Sequence, residues 1–423
     1  MITMDPGAVR HGLPDEEALK EVMTQFERGL PRLNRLWRYY QGKHDVIARQ
    51  RLPGLPNQRL VNGFPRYIAQ VSSGYLLGEP VRYACPGDEK GAYALEMAYR
   101  RAEADSADME TAVAQAVYGR GMTLCYLDET GQARVCALDP RTSFIVHDDT
   151  VEHRPLFGCR VLTEAEGAHI TLYLPDRVVV YGKAGRFGKA RLQVYRHPFG
   201  RIPMTEYRNG QDARGDFEDV LALVDAYDLL QSDRLNDRMQ FSDALLVLTG
   251  VMGIAEDYGG EPSPGAMERL RQERTLALPD SEAKAEWLVK NPSEQDVDVL
   301  RRALVEDIHK FSMTPDFADE RFAGNASGIA IKYKLFNLEQ RILMKERWFV
   351  KGLRERARVM AGYLKSTGQA AIDADRLEIR IPRRLPVNEL ERAQALSLLK
   401  GIVAEQTLLD NAPILPRDTA EKE

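Results

Sequence analysis

A long periodic stripe of apolar residues in the last third of the chain limits the folds that this sequence can adopt. Its positions recur in steps of three, four or seven residues: Leu335, Leu338, Ile342, Phe349, Leu353, Met360 and Leu364. This spacing is typical of one face of an α-helix, so it predicts a long helix that is deeply packed along one side. A strand is predicted next, over 377–381, before Pro382 and Pro386.

The N-terminal half combines helices with a region of short strands. The spacing of apolar residues predicts helices over 15–40, 67–77 and 89–118, with an extended loop rich in proline and glycine over 50–65. From about 121 to 207, short alternating runs are separated by turn residues, which predicts hairpins of an antiparallel sheet. The chain is therefore predicted to be an α+β protein.

A second long helix is predicted over 216–246, and its apolar stripe is thin. Phe217, Val220 and Tyr227 mark a stripe in the first half, whereas 231–240 is almost entirely polar. A helix of this kind buries little against its own chain. Two interpretations stay open, a solvated surface helix or a helix whose neighbours are the same helix in adjacent subunits.

The segments after that helix are predicted from turn residues and spacing. An insert of loops and strands is expected over 250–292, a helix over 294–312 and a short polar stretch over 314–327. The last helix is expected to open at Asn388, with Glu391 completing a capping box.

Length, charge and cysteine content exclude several classes of protein. The 423 residues are enough for two or three domains. The net charge of −5 argues against a protein that grips DNA tightly through its phosphates. The longest apolar run, 244–255, is too short to span a bilayer, and the N-terminus does not resemble a secretory signal. The four cysteines form no CxxC pair, which fits a reducing cytoplasm.

The sequence contains no convincing catalytic or cofactor motif. The glycine-rich stretch 182–190 lacks the first glycine and the final Ser or Thr of a phosphate-binding loop, so it is interpreted as a hairpin tip. The nuclease-like residues Asp280, Glu282 and Lys284 are too close together to share a metal from two strands. No HExxH or GxSxG motif occurs. The chain is predicted not to be an enzyme and to need no cofactor or metal.

Several segments together resemble the portal, or head-to-tail connector, proteins of long-tailed bacteriophages. The order and spacing of these segments carry the resemblance: YYQGKH at 39–44, NGFPRYI at 62–68, GYLLGEPV at 74–81, LDPR at 138–141, HPFGRIP at 197–203, EYRN at 206–209, GDFE at 215–218, MTPDF at 313–317 and FAGNASGIA at 322–330.

The resemblance implies a portal fold with an α/β wing, a stem of long helices, a small α/β clip, a tunnel loop and a short helical crown. On this sequence, the implied regions are the wing at 1–215, stem helix 1 at 216–246, the clip at 247–292, stem helix 2 at 293–312, the tunnel loop at 313–327, the wing helix and strand at 328–387 and the crown at 388–423. Portals form rings of about twelve subunits around a channel for DNA packaging and ejection.

The resemblance also implies partners and a location. The partners expected are other copies of the chain, double-stranded DNA, the large terminase subunit, a head-tail adaptor, and capsid and scaffolding proteins, with no membrane. The protein is expected at one capsid vertex of the virion, after assembly in the host cytoplasm. The alternatives are a DNA-processing enzyme of the packaging machinery, either an ATPase or a nuclease, or another multimeric phage structural protein.

Two groups of charged side chains are candidate functional residues. In the tunnel loop, the residues expected to face DNA are Asp316, Asp319, Glu320 and Arg321. On the first stem helix, the residues expected at subunit contacts or in the channel are Asp233, Arg234, Asp237 and Arg238. An acidic wall tends to repel the DNA backbone, and sparse arginines provide weak contacts that let DNA slide.

Overall fold

The computed structural model describes most of the chain, which forms two compact units. The residues described are 1–10, 13–53, 55–164, 167–181, 193–241, 245–249, 284–288, 294–317, 328–383, 394, 397–399 and 401–402. Unit one comprises Met1–Lys43, Gly63–Ala222 and Asp307–Glu423, and unit two comprises His44–Asn62 and Leu223–Glu306. Within the described part, no helix has the length and apolar character needed to cross a membrane.

Four helices form the N-terminal part of unit one: α1 (Glu16–Tyr40), α2 (Phe64–Leu76), α3 (Glu89–Arg101) and α4 (Ala104–Tyr118). The predicted helices over 15–40 and 67–77 are confirmed to within a few residues. The single helix predicted over 89–118 is two helices, because Glu103 takes a left-handed conformation with φ of 54°. An L-residue in that conformation ends a right-handed helix.

Unit one contains two larger sheets and two short strand pairs. Its strands are β1 (Ile2–Met4), β2 (Val9–Arg10), β3 (Leu13–Pro14), β4 (Arg82–Ala84), β5 (Arg120–Leu127), β6 (Ala133–Leu138), β7 (Ser143–Asp148), β8 (Pro155–Glu164), β9 (Gly167–Tyr173), β10 (Arg177–Tyr181), β11 (Gln193–Arg196) and β12 (Met204–Arg208). One sheet has the order β1-β7-β8-β9-β10-β11, and the other has the order β12-β5-β6. Strands β2 and β3 pair with each other.

The hairpins predicted between 121 and 207 are confirmed, because the strands from β5 to β12 pair antiparallel. Strand β1 adds a parallel partner to β7 at the edge of the larger sheet. Strands β10 and β11 pair as a hairpin should, and the glycine-rich 182–190 between them lies outside the described residues.

The longest helix is α7 (Gly328–Ser366), which is followed by β15 (Glu378–Arg380), the antiparallel partner of β4. All seven positions of the predicted apolar stripe are buried, so the deep packing expected from periodicity is confirmed. The first five contact Leu76, Ala112 and Tyr207 in one core cluster, and Met360 and Leu364 lie in a second cluster with α3. Gly352 allows a close approach, since a Cβ there would meet Tyr207 Cδ1 at 2.4 Å.

Unit two contains most of helix α5 (Leu221–Phe241), the antiparallel strands β13 (Leu245–Thr249) and β14 (Lys284–Leu288), and the first part of α6 (Glu294–Phe311). The helix predicted over 216–246 is shorter at both ends. A 3₁₀ turn, Glu218–Val220, precedes it, and β13 begins within the apolar run that follows it. Most of the predicted insert over 250–292 and of the C-terminal segment from 384 lies outside the described residues.

Candidate functional site: the arm and the loop base

Residues 44–62 of unit two, which begin with a 3₁₀ turn at Asp45–Ala48 and end in an extended stretch, are bound to helix α5 by polar side chains, and we call them the arm. Asn236 accepts a hydrogen bond from the Gln58 amide at 2.6 Å and donates one to the Gln58 carbonyl at 2.9 Å. The Leu60 amide donates to Ser232 Oγ at 2.9 Å. The arm is therefore bound through its backbone.

Asp228 completes the same row at the other end of the arm. Its Oδ1 accepts hydrogen bonds from the Asn62 amide at 2.9 Å and from the Asn62 side chain at 2.8 Å. Its Oδ2 lies 2.5 Å from His44 Nδ1, and both side chains are fully buried. The His44 and Asp228 contact fixes the start of the arm to the same carboxylate that binds its end.

The spacing of this row follows from the two backbones. Residues 228, 232 and 236 are four apart, so they lie on one helix face with a rise of about 6 Å per step. Their partners 58, 60 and 62 alternate along an extended chain, where two residues span about 6.6 Å. The two repeats match, and the helix and the arm run in opposite directions. Three polar side chains of the helix therefore contact every second residue from 58 to 62.

This row corrects the interpretation of the thin apolar stripe of the helix. The side chains of Asp228, Ser232 and Asn236 are buried, and their partners belong to the same chain. Buried polar groups must be hydrogen-bonded, so a polar helix face can be a packed face when backbone groups satisfy it. One face of the helix is therefore packed within its own chain, which corrects the interpretation of a solvated helix, and packing of its other faces against the same helix in adjacent subunits stays a prediction.

The four predicted residues on α5 have different surroundings. Asp233 Oδ1 lies 2.7 Å from Arg49 Nη1 and also pairs with Arg51, so it binds the arm within the chain. Arg234 and Asp237 are half-buried, and Arg238 is exposed. A role of these four residues in subunit contacts or in the channel stays a prediction.

In unit one, the segment after α6 is fixed at its first six residues. We call residues 312–317 the loop base. His309 Nδ1 lies 2.9 Å from the Thr314 carbonyl. The Tyr67 hydroxyl donates to the Pro315 carbonyl at 2.8 Å and accepts from the Phe317 amide at 3.2 Å. Burial raises the pKa of Tyr67, so its hydroxyl keeps the proton that it donates.

Of the four charged tunnel-loop residues predicted to face DNA, only Asp316 lies in the described part of the chain. Asp316 is 41% exposed at its side chain, and its Oδ2 is 3.8 Å from His309 Nε2. Asp319, Glu320 and Arg321 lie outside the described residues. The structure therefore describes how the loop begins, and the direction in which its remaining charges point stays a prediction.

A buried group of charges ties the loop base to the residues that precede α5. Arg341, on α7, donates to the Ser312 carbonyl and, at 2.6 Å, to the Asp216 carbonyl. Lys345 Nζ lies 2.8 Å from Asp216 Oδ2 and 3.1 Å from Ser72 Oγ. One guanidinium thus joins the end of α6 to the segment that leads into α5.

The pKa values of Asp216 and Lys345 respond differently to their buried surroundings. Burial by itself raises the pKa of Asp216, but Lys345 and Arg341 outweigh it and bring the pKa to about 2. For Lys345, burial dominates and lowers the pKa, although the Asp216 carboxylate that it faces acts in the opposite direction. The carboxylate has two cations beside it and the ammonium is also repelled by Arg341, so Asp216 is the better stabilised member of the group.

The polar side chains collected at these two places bind backbone segments of the same chain. Among the described residues, no cluster of three or more His, Cys, Asp or Glu side chains is placed to hold a metal ion. These side chains fix an arm and the base of a loop within the chain.

Comparisons with known proteins give the family. The family model described as "Phage portal protein, SPP1 Gp6-like" matches residues 19–423. The chain therefore belongs to the SPP1 Gp6-like phage portal protein family. It is a non-enzymatic structural component of the virion, with the packaging and head-to-tail connector roles of that family.

One curated relative and several solved structures are similar to the chain. The portal protein of Bacillus phage SPP1 is 21% identical over 412 residues, which cover 89% of this chain and 80% of that protein. The neck of an empty gene transfer agent (GTA) particle computed with C6 symmetry has a TM-score of 0.49 at 12% identity, covering 84% of this chain and 91% of that one. A virion of a native GTA particle has a TM-score of 0.47 at 12% identity, covering 91% and 94%.

Proposed function

We propose that this chain forms a homo-oligomeric ring of about twelve subunits around a channel for double-stranded DNA at one capsid vertex. The match of the portal family model to residues 19–423 is the observation that carries the proposal. In this ring, residues 1–215 and 328–387 form the wing. Helices α5 and α6 form the stem, 247–292 forms the clip and 388–423 forms a short crown.

The segment 313–327 is proposed as the tunnel loop that projects towards DNA. Its first residues are fixed by Tyr67, His309 and Arg341, and α7 begins directly after it at Gly328. A loop held at both ends by long helices can move at its tip without disturbing the fold. Asp316, Asp319, Glu320 and Arg321 are the side chains proposed to face the duplex.

The net charge of the chain supports a channel that does not bind DNA tightly. Each phosphate contact by Lys or Arg adds affinity that depends on salt, and a sliding duplex needs few such contacts. With a net charge of −5 per subunit, the ring repels the DNA backbone and keeps the duplex centred. The large terminase subunit is proposed to dock on the clip and supply the energy, and the head-tail adaptor is proposed to replace it later.

The remaining proposed partners are capsid and scaffolding proteins, which would receive the ring during assembly in the host cytoplasm. Electron microscopy of the purified protein tests the ring directly. We expect rings with a central hole wide enough for duplex DNA. A stable monomer under all conditions, or an assembly closed at its centre, would overturn the proposal.

The loop is tested separately by deletion of 316–325. We expect rings to form normally and DNA packaging or retention to fall strongly. A shorter deletion within 182–192, which lies between β10 and β11 in the sequence, is the control and should leave packaging unchanged. If the first deletion abolishes ring assembly, or if packaging is unaffected, the tunnel loop has been assigned to the wrong segment.

A further inference from the structure

The first two thirds of helix α6 have no buried side chain in the described part of the chain. From residue 295 to 306, every described side chain is either half-buried or exposed. Val299 is 68% exposed and Leu300 is 51% exposed, and Ala303 follows one turn later on the same side. A solvated helix of this length is marginal in water, and an apolar face on it needs a partner.

The arm presents a second unpartnered apolar surface within unit two. Residues 58–62 are bound to α5 through their backbone, and Arg49 and Arg51 pair with Asp233, so the stretch from 52 to 55 is attached to α5 on both sides. Leu52 is 75% exposed, and Leu55 and Leu60 are exposed as well. One exposed apolar side chain needs no explanation, but Leu52 and Leu55 are both exposed at a turn in which the Leu55 amide donates to the Leu52 carbonyl.

The two surfaces differ in charge. Beside Leu52, the arm carries Arg49 and Arg51, which share one carboxylate, Asp233, whereas Asp228 lies against His44 and Asn62 at the two ends of the arm. Residues 294–306 of α6 carry four carboxylates against two arginines. Opposite charges around apolar centres favour the pairing of these two surfaces and disfavour the pairing of either surface with itself.

Two different complementary patches on one chain are what a ring requires. Identical patches pair face to face and give closed dimers, whereas two different patches pair head to tail and generate a ring when the rotation closes. We propose that the arm of one subunit packs its Leu52 and Leu55 side chains against Val299 and Leu300 of the α6 helix in the next subunit. This inference rests on the proposed ring and names the surface that closes it.

The pairing assigns a role to the polar row on α5. Asp228, Ser232 and Asn236 hold residues 58–62 in cis, and Asp233 pairs with Arg49 and Arg51, so the arm is attached to α5 on both sides of Leu52 and Leu55. An arm that is ordered before assembly loses less conformational entropy when two subunits meet. The polar face of the helix thus serves the subunit contact indirectly, through the arm.

Cross-linking tests the contact in the full chain. Cysteines are introduced by Leu52→Cys and Val299→Cys, with Cys136→Ala as background because the other three native cysteines are buried. With a short bismaleimide, the double variant should give a ladder of covalent oligomers on a denaturing gel. A mixture of the two single variants should give dimers and nothing larger, since each chain then has one reactive thiol. The control pair, Leu52→Cys with the 98% exposed Val151→Cys, should give no ladder.

Ring formation is followed on the same samples by electron microscopy. Rings without a ladder would overturn the arm and α6 contact and leave the ring proposal intact. A fast-migrating monomer that is cross-linked within one chain would also overturn it, because the two surfaces would then meet in cis. If no sample forms rings, the proposed function fails and this inference fails with it.

Charge insertion provides an independent measurement. Leu52→Asp and Val299→Asp should each abolish rings while the circular dichroism of the monomer stays unchanged, and Val151→Asp should leave rings intact. Retention of rings in both of the first two variants would overturn the proposal.

Discussion

Removing the charge of Asp216 probes the buried group that ties the loop base to the segment before α5. Asp216→Asn keeps the shape of the side chain but leaves Lys345 and Arg341 without their carboxylate. Breaking a buried ion pair from one side typically costs about 3–5 kcal/mol of unfolding free energy. Lys345→Met leaves Asp216 paired with Arg341, so we expect a smaller loss of about 1–3 kcal/mol, close to that of one charged hydrogen bond.

The pH dependence of stability has a definite sign at this group. The pKa of Asp216 is lowered from 3.8 to about 2 in the folded protein. A carboxyl with a depressed pKa contributes stability above its unfolded pKa and loses that contribution as the pH falls. The contribution of Asp216, on the order of 2 kcal/mol, should therefore disappear between about pH 4 and pH 2. Asp216→Asn should remove this part of the acid sensitivity.

Urea unfolding of unit one, followed by the fluorescence of Trp37 and Trp348 in a Trp287→Phe background, measures these differences in unfolding free energy at one fixed protein concentration. Hydrogen exchange of the loop base in the same samples should accelerate in Asp216→Asn, because Arg341 then loses part of its anchor. Equal losses of unfolding free energy in Asp216→Asn and Lys345→Met would refute the argument that Asp216 is the better stabilised partner. Unchanged acid sensitivity in Asp216→Asn would refute the assignment of the low pKa.

Substitutions at three further places test other contacts. Gly352→Ala should lower the melting temperature because its methyl would overlap the Tyr207 ring. Its control is Gly29→Ala, which should raise the melting temperature slightly because nothing lies within 4 Å of the added Cβ. A higher melting temperature for Gly352→Ala than for Gly29→Ala would contradict the packing of α7. Asn236→Ala should cost about 1–3 kcal/mol and speed both proteolysis and hydrogen exchange of the arm, and unchanged exchange would show that the row does not hold it. Tyr67→Phe should speed hydrogen exchange at the Phe317 amide without lowering the melting temperature by more than a few degrees.

The elements of this fold that follow from local sequence were predictable. All seven stripe positions of α7 are buried because a long helix packed on one side must repeat its apolar residues at helical spacing. Strand regions between 121 and 207 were equally visible, since alternation and turn residues are both local signals. The helix break at Glu103 could not be predicted, because nothing in the alanine-rich sequence around Glu103 indicates a residue in the left-handed conformation.

The candidate site was harder to predict, because its contacts join distant parts of the chain. Burial of Asp228, Ser232 and Asn236 depends on backbone groups that lie more than 160 residues earlier. Hydropathy treats such residues as exposed, so the row was interpreted as a thin stripe. The sequence did contain a signal for this packed face. Three side chains able to accept hydrogen bonds are spaced by four on a helix that has few apolar residues with which to pack.

The most direct test of the account is electron microscopy of the purified chain at a resolution that separates subunits. We expect a closed ring with an open central passage for duplex DNA, in which each arm lies on its own α5 and touches α6 of the next subunit. Monomers only, or an assembly without a passage along its axis, would contradict the central claim.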